Sequence, residues 1–211
     1  MLAVGCGAKT QNTQNTPSNP SPSPAAQSPT PAPPSTEQVG VPASAGKLSE
    51  PISGALQRVT KKPFGIYITP ATSPVQPEKF MGYHTGVDFE TFSAEQAADV
   101  PVFAACDGKL LQKRSATGYG GVMVQACKLD GQDVTIIYGH IRLASVTVKV
   151  GDNLKSGQTI AVLGTGYSAE TDGERKHLHF GIHKGTAISI LGYVQKQADL
   201  SQWLDAMQYL K

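Results

Sequence analysis

Five histidines are spread over this chain of 211 residues, and four of them fall in three short segments. His177-Leu178-His179-Phe180 carries two, spaced so that both imidazoles leave one face of a β-strand. Tyr83-His84-Thr85-Gly86-Val87-Asp88 adds a histidine and a carboxylate, and Tyr138-Gly139-His140 adds a further histidine. Imidazole and carboxylate are the ligand types of a catalytic zinc, which takes three protein ligands and keeps a fourth position open. The separation of His84 and Asp88 suits a helix. Gly82 and Gly86 argue instead for a loop running into a strand, where the two side chains share a face. A lone buried histidine is usually structural. Four in this order, together with Asp88, point to metal-dependent hydrolysis.

Hydrolysis of an amide needs a proton acceptor and a group that steadies the developing oxyanion. The chain has no HExxH motif, in which a glutamate acts as base. Histidine, with an unperturbed pKa of about 6.5, is the natural substitute. His177 or His140 then serves as base and the other steadies charge. His183 continues the alternation of His177 and His179 and is read as a surface or groove-edge residue.

Short strands must carry these side chains. The segments 100–106, 109–113, 121–127, 133–141, 146–150, 159–163 and 177–183 are rich in Val and Ile. They are separated by turn signals such as Asp107-Gly108, Asp130-Gly131 and Gly151-Asp152. Phe64–Ile68 is a further candidate strand, followed by an irregular stretch containing Pro70, Pro74 and Pro77. The pattern predicts a mainly β fold, an antiparallel sheet folded on itself. One C-terminal α-helix is expected from Leu200, Trp203, Leu204, Met207 and Leu210, with Ser201 near its start. Cys106 and Cys127 flank an expected hairpin turning near Ala116-Thr117, an arrangement that suits a disulfide in an exported protein. Arg175-Lys176 reads as a solvated loop.

The order His84-Thr85-Gly86-Val87-Asp88, Tyr138-Gly139-His140, Gly157-Gln158-Thr159-Ile160-Ala161 and His177-Leu178-His179-Phe180 resembles the M23 peptidases, the lysostaphin-like or LytM-type group. Asp107-Gly108-Lys109 and Gly118-Tyr119-Gly120-Gly121 fit between these segments, and the resemblance covers roughly residues 60–190. It implies a two-sheet antiparallel β structure with a groove. It implies that His84, Asp88 and His179 bind Zn2+, and that His140 and His177 assist catalysis without binding the metal. It implies cleavage of peptidoglycan peptides, at stem-peptide crosslinks or cross-bridges. Some members have lost the metal ligands and regulate other wall hydrolases; the intact set here favours an enzyme. A wall-binding module without chemistry is a third reading. In place of the family's short Ser/Thr-Gly-Pro approach to its HLH motif, the chain has a longer polar loop, Tyr167–Lys176, expected at the groove rim. Tyr83 and Tyr119 are candidates to line the groove.

Nine of the fifteen prolines lie at or before Pro42, and the first aromatic is Phe64. Residues 7–45 therefore read as a disordered Pro/Ser/Thr-rich linker, and residues 46–211 as one catalytic domain. Met1-Leu2-Ala3-Val4-Gly5-Cys6 resembles the end of a lipoprotein signal. It has Ala3 where leucine is usual, and it lacks a basic start and an apolar core. The reading is an extracytoplasmic protein, attached to a membrane if Cys6 is lipidated. A net charge of +2 with no basic patch argues against nucleic acid. No obligate protein partner is evident.

Overall fold

The computed structural model describes residues 47–210. The segments read above as a possible signal remnant (1–6) and a linker (7–45) lie outside the described residues. Among the described residues twelve strands follow one another, joined by loops and 3-10 turns. The first are β1 (Tyr67–Ile68), β2 (Gly82–His84), β3 (Gly86–Glu90) and β4 (Pro101–Phe103). Then come β5 (Gly108–Ala116), β6 (Gly120–Leu129), β7 (Gln132–Gly139) and β8 (Asn153–Leu154). The last are β9 (Thr159–Val162), β10 (His177–Lys184), β11 (Tyr193–Val194) and β12 (Trp203–Leu204).

The main sheet has seven strands in the order β12-β10-β7-β6-β5-β8, with β3 also paired to β10. A three-stranded sheet, β1-β2-β11, and the β4-β9 pair complete the fold. All these pairings are antiparallel. Mainly β, antiparallel architecture is therefore what the sequence pattern predicts, with a third small sheet beyond the two expected.

Side-chain alternation divides the main sheet into a core face and a site face. Leu178, Phe180 and Ile182 of β10, Val87 and Phe89 of β3, and Ile136 and Tyr138 of β7 lie on the core face and are buried. The intervening residues on β10 and β3 are His177, His179, Asp88 and Glu90. Register fixes them as neighbours: His179 stands opposite Asp88, and His177 opposite Glu90.

Three local expectations differ. Residues 200–210 form no α-helix. Gln197–Gln202 and Ala206–Gln208 are 3-10 turns, and Trp203–Leu204 forms β12 between them. The edge of β10 beyond Gly181, where β3 ends, leaves backbone groups that need partners; β12 supplies them at Ile182 and His183. Asp205 then caps the following turn by accepting from the Met207 amide at 3.0 Å. The apolar spacing that suggested one helix is thus divided between a strand and a turn. Residues 146–150 form no strand either. The carbonyls of Val146 and Val148 accept from Lys113 Nζ at 3.2 and 2.7 Å, which replaces ladder bonding with a side-chain donor. Of Phe64–Ile68, only Tyr67–Ile68 is strand.

Cys106 and Cys127 are disulfide-bonded, with Cα atoms 6.1 Å apart. Cys106 lies just before β5 and Cys127 within β6, so the bridge ties the entry of the β5-β6 hairpin to its far strand.

Candidate metal centre

His84 and Asp88 occupy two different sheets. The chain leaves β2 at His84, turns at Thr85 and enters β3 at Gly86. Thr85 is fixed by its amide to Gly192 O at 3.1 Å and by its hydroxyl to Leu191 O at 2.5 Å. A Cβ on Gly86 would stand 2.5 Å from the Phe180 carbonyl oxygen, so glycine permits β3 to lie this close to β10. The shared strand face expected for His84 and Asp88 is replaced by a sharp change of sheet that still brings them together.

Three acceptor atoms meet there. His84 Nε2 lies 3.2 Å from Asp88 Oδ1 and 3.0 Å from His179 Nδ1, and His179 Nδ1 lies 3.2 Å from Asp88 Oδ1. All three residues are buried, at 0%, 2% and 4% exposure. His84 Nδ1 donates to the Pro63 carbonyl at 3.2 Å, which leaves Nε2 as the lone-pair nitrogen in the neutral ring. A tetrahedral zinc with bonds of about 2.0–2.1 Å sets its ligand atoms about 3.3 Å apart. The triangle fits that ion, and these residues form a group able to hold a metal.

The second oxygen of Asp88 is also engaged. Oδ2 accepts from Arg175 Nη2 at 2.9 Å and lies 3.4 Å from His177 Nε2. Burial opposes ionisation of Asp88 more than any other single influence. The charges of His177 and His84 and the hydrogen bonds of His177 and His179 together outweigh it, holding the carboxyl well below the usual range. His179 is pushed down to about 4, chiefly by burial, and is neutral at neutral pH.

His177 and His140 stand beside the triangle. His177 Nδ1 donates to the Arg175 carbonyl at 2.9 Å, leaving Nε2 free in the neutral ring. The His140 ring lies 4.3 Å from that of His177, centroid to centroid. Burial first, and then the charge of His177, depress the His140 pKa well below the ordinary value. His140 has φ +61°, a left-handed conformation uncommon for a side-chain-bearing residue. Its carbonyl is held by the Gly164 amide at 2.8 Å. Such strain clusters at functional sites. Tyr119, from the β5-β6 turn, closes the group with its ring 5.4 Å from His140 and 5.3 Å from His179. Its buried hydroxyl has no partner among the described residues, and burial raises its pKa further above neutrality.

A chain with this His-Asp-His triangle and paired histidines matches the model of peptidase family M23 over residues 82–190. It belongs to that family. Solved structures similar to this M23 chain include LytU, at 24% identity, 72% coverage of this chain, 91% of that one and a TM-score of 0.46. The antimicrobial peptidase lysostaphin from Staphylococcus simulans is 25% identical, with 74% and 51% coverage and a TM-score of 0.44. Helicobacter pylori Csd3 is 22% identical, with 72% and 36% coverage and a TM-score of 0.43. The match thus spans most of LytU, about half of lysostaphin and about a third of Csd3. Comparison with curated proteins gave no match.

The structure of this M23 member brings together the expected His84, Asp88, His179, His140 and His177, with Tyr119 beside them. Tyr83 instead packs on Tyr67, with ring centroids 4.7 Å apart. His183 lies outside the cleft against Trp203, at 4.8 Å. The expectation that Arg175-Lys176 is solvated is overturned. Both are buried, Arg175 on Asp88 and Glu90, and Lys176 on the carbonyls of Glu95, Gln96 and Ala98. Tyr167–Lys176 supplies a wall of the cleft through Glu174 and Arg175, and only their charge hinted at a role. The cleft lining also includes Phe80, Met81, Leu191 and Tyr193, which no spacing in the sequence singled out.

Proposed function

We propose that this M23 member is a zinc endopeptidase that hydrolyses peptide bonds of bacterial peptidoglycan. The observation that carries the reading is the triangle of His84 Nε2, Asp88 Oδ1 and His179 Nδ1, of which Asp88 and His179 line a cleft beside two further histidines. Zinc held there would supply a Lewis acid and a water acidified to a pKa of about 7. His177 is the proposed base: its Nδ1 donates to the Arg175 carbonyl, so Nε2, 3.4 Å from Asp88 Oδ2, carries the lone pair. His140, neutral and buried, is proposed to donate to the developing oxyanion. Tyr119 and the apolar wall exclude water from the reacting bond. The Cys106–Cys127 disulfide supports an oxidising, extracytoplasmic setting, where such a substrate lies.

One feature favours the alternative, a non-catalytic regulator of wall hydrolases: a guanidinium, Arg175, packs on the carboxylate that would bind the metal. Mass spectrometry of fragments released from purified peptidoglycan, with and without chelator, tests the enzyme reading. New peptide termini that vanish with chelator and return with zinc are expected. Intact wall together with zinc-free purified protein would establish the regulator instead.

A further inference from the structure

The guanidinium of Arg175 is held on one side only. Nε donates to both Glu90 oxygens at 3.1 and 3.0 Å, and Nη2 donates to Glu90 Oε1 at 2.5 Å and to Asp88 Oδ2 at 2.9 Å. Nη1, with two N–H bonds, is buried and has no partner among the described residues. The side chain is 7% exposed and belongs to the cleft wall. A buried charged donor without an acceptor is costly, and the acceptor that fits a guanidinium edge is a carboxylate. The other buried cation of the cleft, Lys62, is already engaged: Nζ donates to Glu78 at 2.5 Å and to the Tyr193 hydroxyl at 3.1 Å. Glu174 pairs with Lys79 at 3.3 Å. Arg175 is thus the cleft cation with a donor nitrogen wholly unpartnered among the described residues, and two carboxylates fix its orientation in advance of any ligand.

We propose that Arg175 Nη1 is a carboxylate subsite that selects substrates bearing a free carboxylate next to the bond under attack. The inference rests on the peptidase reading, whose substrate class it narrows. Placement follows from connectivity: the single carboxylate of Asp88 bridges Arg175 and the metal triangle, so an anion on Nη1 sits within a residue or two of the reacting carbonyl. Charge predicts a condition. Asp88, Glu90, Arg175 and Lys61, which stands 3.5 Å from Glu90, sum to zero, so the metal-free group offers an anion no net attraction. A divalent cation on the triangle makes the group net positive, so carboxylate binding should strengthen with the loaded metal site and, reciprocally, tighten it.

The source of the carboxylate is either a chain terminus or a side chain. The test uses three N-acetylated tripeptides of stem-peptide type that contain D-alanine. One has a free C-terminal carboxylate, one has only a side-chain carboxylate, and one has both amidated. Binding to the zinc-loaded full chain is followed by calorimetry, and hydrolysis separately by mass spectrometry. We expect one acid to bind about 10- to 100-fold more tightly than the diamide, the scale of a charge-assisted hydrogen bond. We expect that preference to fall below about threefold in Arg175→Gln with zinc content retained. Equal binding of all three peptides by the wild type overturns the subsite without reference to any variant, as does a preference that survives in Arg175→Gln. Selective binding with no hydrolysis would uphold the subsite and count against the peptidase. Hydrolysis of acid and diamide alike, with equal binding, would do the reverse.

Discussion

The rings of His140 and His177 stand 4.3 Å apart, one on a backbone turn of positive φ and the other on β10 directly opposite Glu90. Neither contributes an atom to the triangle of His84, Asp88 and His179. The pair should therefore be separable from metal binding. His177→Ala and His140→Ala are each expected to lower kcat by about 10²–10⁴-fold, with zinc content unchanged in His140→Ala. The double variant should lose little more than the worse single one, because groups acting on one proton inventory are not additive. Steady-state hydrolysis of a fluorogenic peptide, alongside elemental analysis, checks both points.

Ligand loss has a different signature. His84→Ala, Asp88→Ala and His179→Ala each remove one corner of a triangle with sides of 3.0–3.2 Å. Each should reduce bound zinc from one equivalent to near zero and abolish hydrolysis. Inductively coupled plasma measurement on purified variants reads this directly. A full equivalent of zinc in His179→Ala would show that the ion sits elsewhere.

The outcome for the sequence reading follows from what spacing encodes. His177 and His179 were legible because a period of two places both on one strand face, and β10 holds them so. Asp88 and His84 were legible as a pair, but the change of sheet at Thr85 was not, since it depends on the segment just before β11 supplying the Gly192 and Leu191 carbonyls from far along the chain. Arg175 was misread because a charged dipeptide in a polar loop is normally solvated. Its burial depends on two acids of β3 that only the β3-β10 register presents. The closing helix failed for the same reason, since an open strand edge outweighed local periodicity.

The metal-free protein should lose stability on mild acidification. His179, held at about 4 mainly by burial, faces an unfolded-state value of about 6.5. Between those values the unfolded chain binds the proton and the folded chain does not, so stability rises with pH across that window and is lost as pH falls through it. A displacement of that size corresponds to roughly 3 kcal/mol. His140, depressed by burial, acts in the same direction. Urea midpoints in chelator at pH 7.5 and pH 4.5 measure the difference. A lower midpoint at pH 4.5 is expected, with a smaller difference in His179→Gln. Equal midpoints would mean that the histidines are not buried neutral.

Removing the disulfide should act on stability and leave the site's chemistry alone. The bridge closes a loop across 21 positions, from before β5 into β6. The chain-entropy model assigns about 3 kcal/mol to a loop of that length. Cys106→Ala/Cys127→Ala should therefore lower the unfolding free energy by about that amount. kcat should be retained below the new melting temperature, because neither cysteine lines the cleft.

Gly86 links packing to chemistry most directly. It sits between the two proposed ligands His84 and Asp88 and opposite Gly181 in the β3-β10 ladder. An added Cβ would stand 2.5 Å from the backbone oxygen of Phe180 and 3.0 Å from His179 Cε1. The first contact is with main chain in the middle of a paired strand and has no rotamer by which to yield. Gly86→Ala must therefore push β3 away from β10, at an overpacking cost of about 1–3 kcal/mol. The same displacement separates Asp88 Oδ1 from His179 Nδ1, so zinc affinity should fall together with stability. Gly131→Ala is the matched control. Its turn has open space for a methyl group although φ is +76°, so it should cost some stability and leave zinc affinity unchanged. Zinc titration by competition with a chromogenic chelator, run on both variants at equal folded fraction, separates the two effects. Wild-type affinity in Gly86→Ala would mean that the triangle does not depend on the close approach of these two strands.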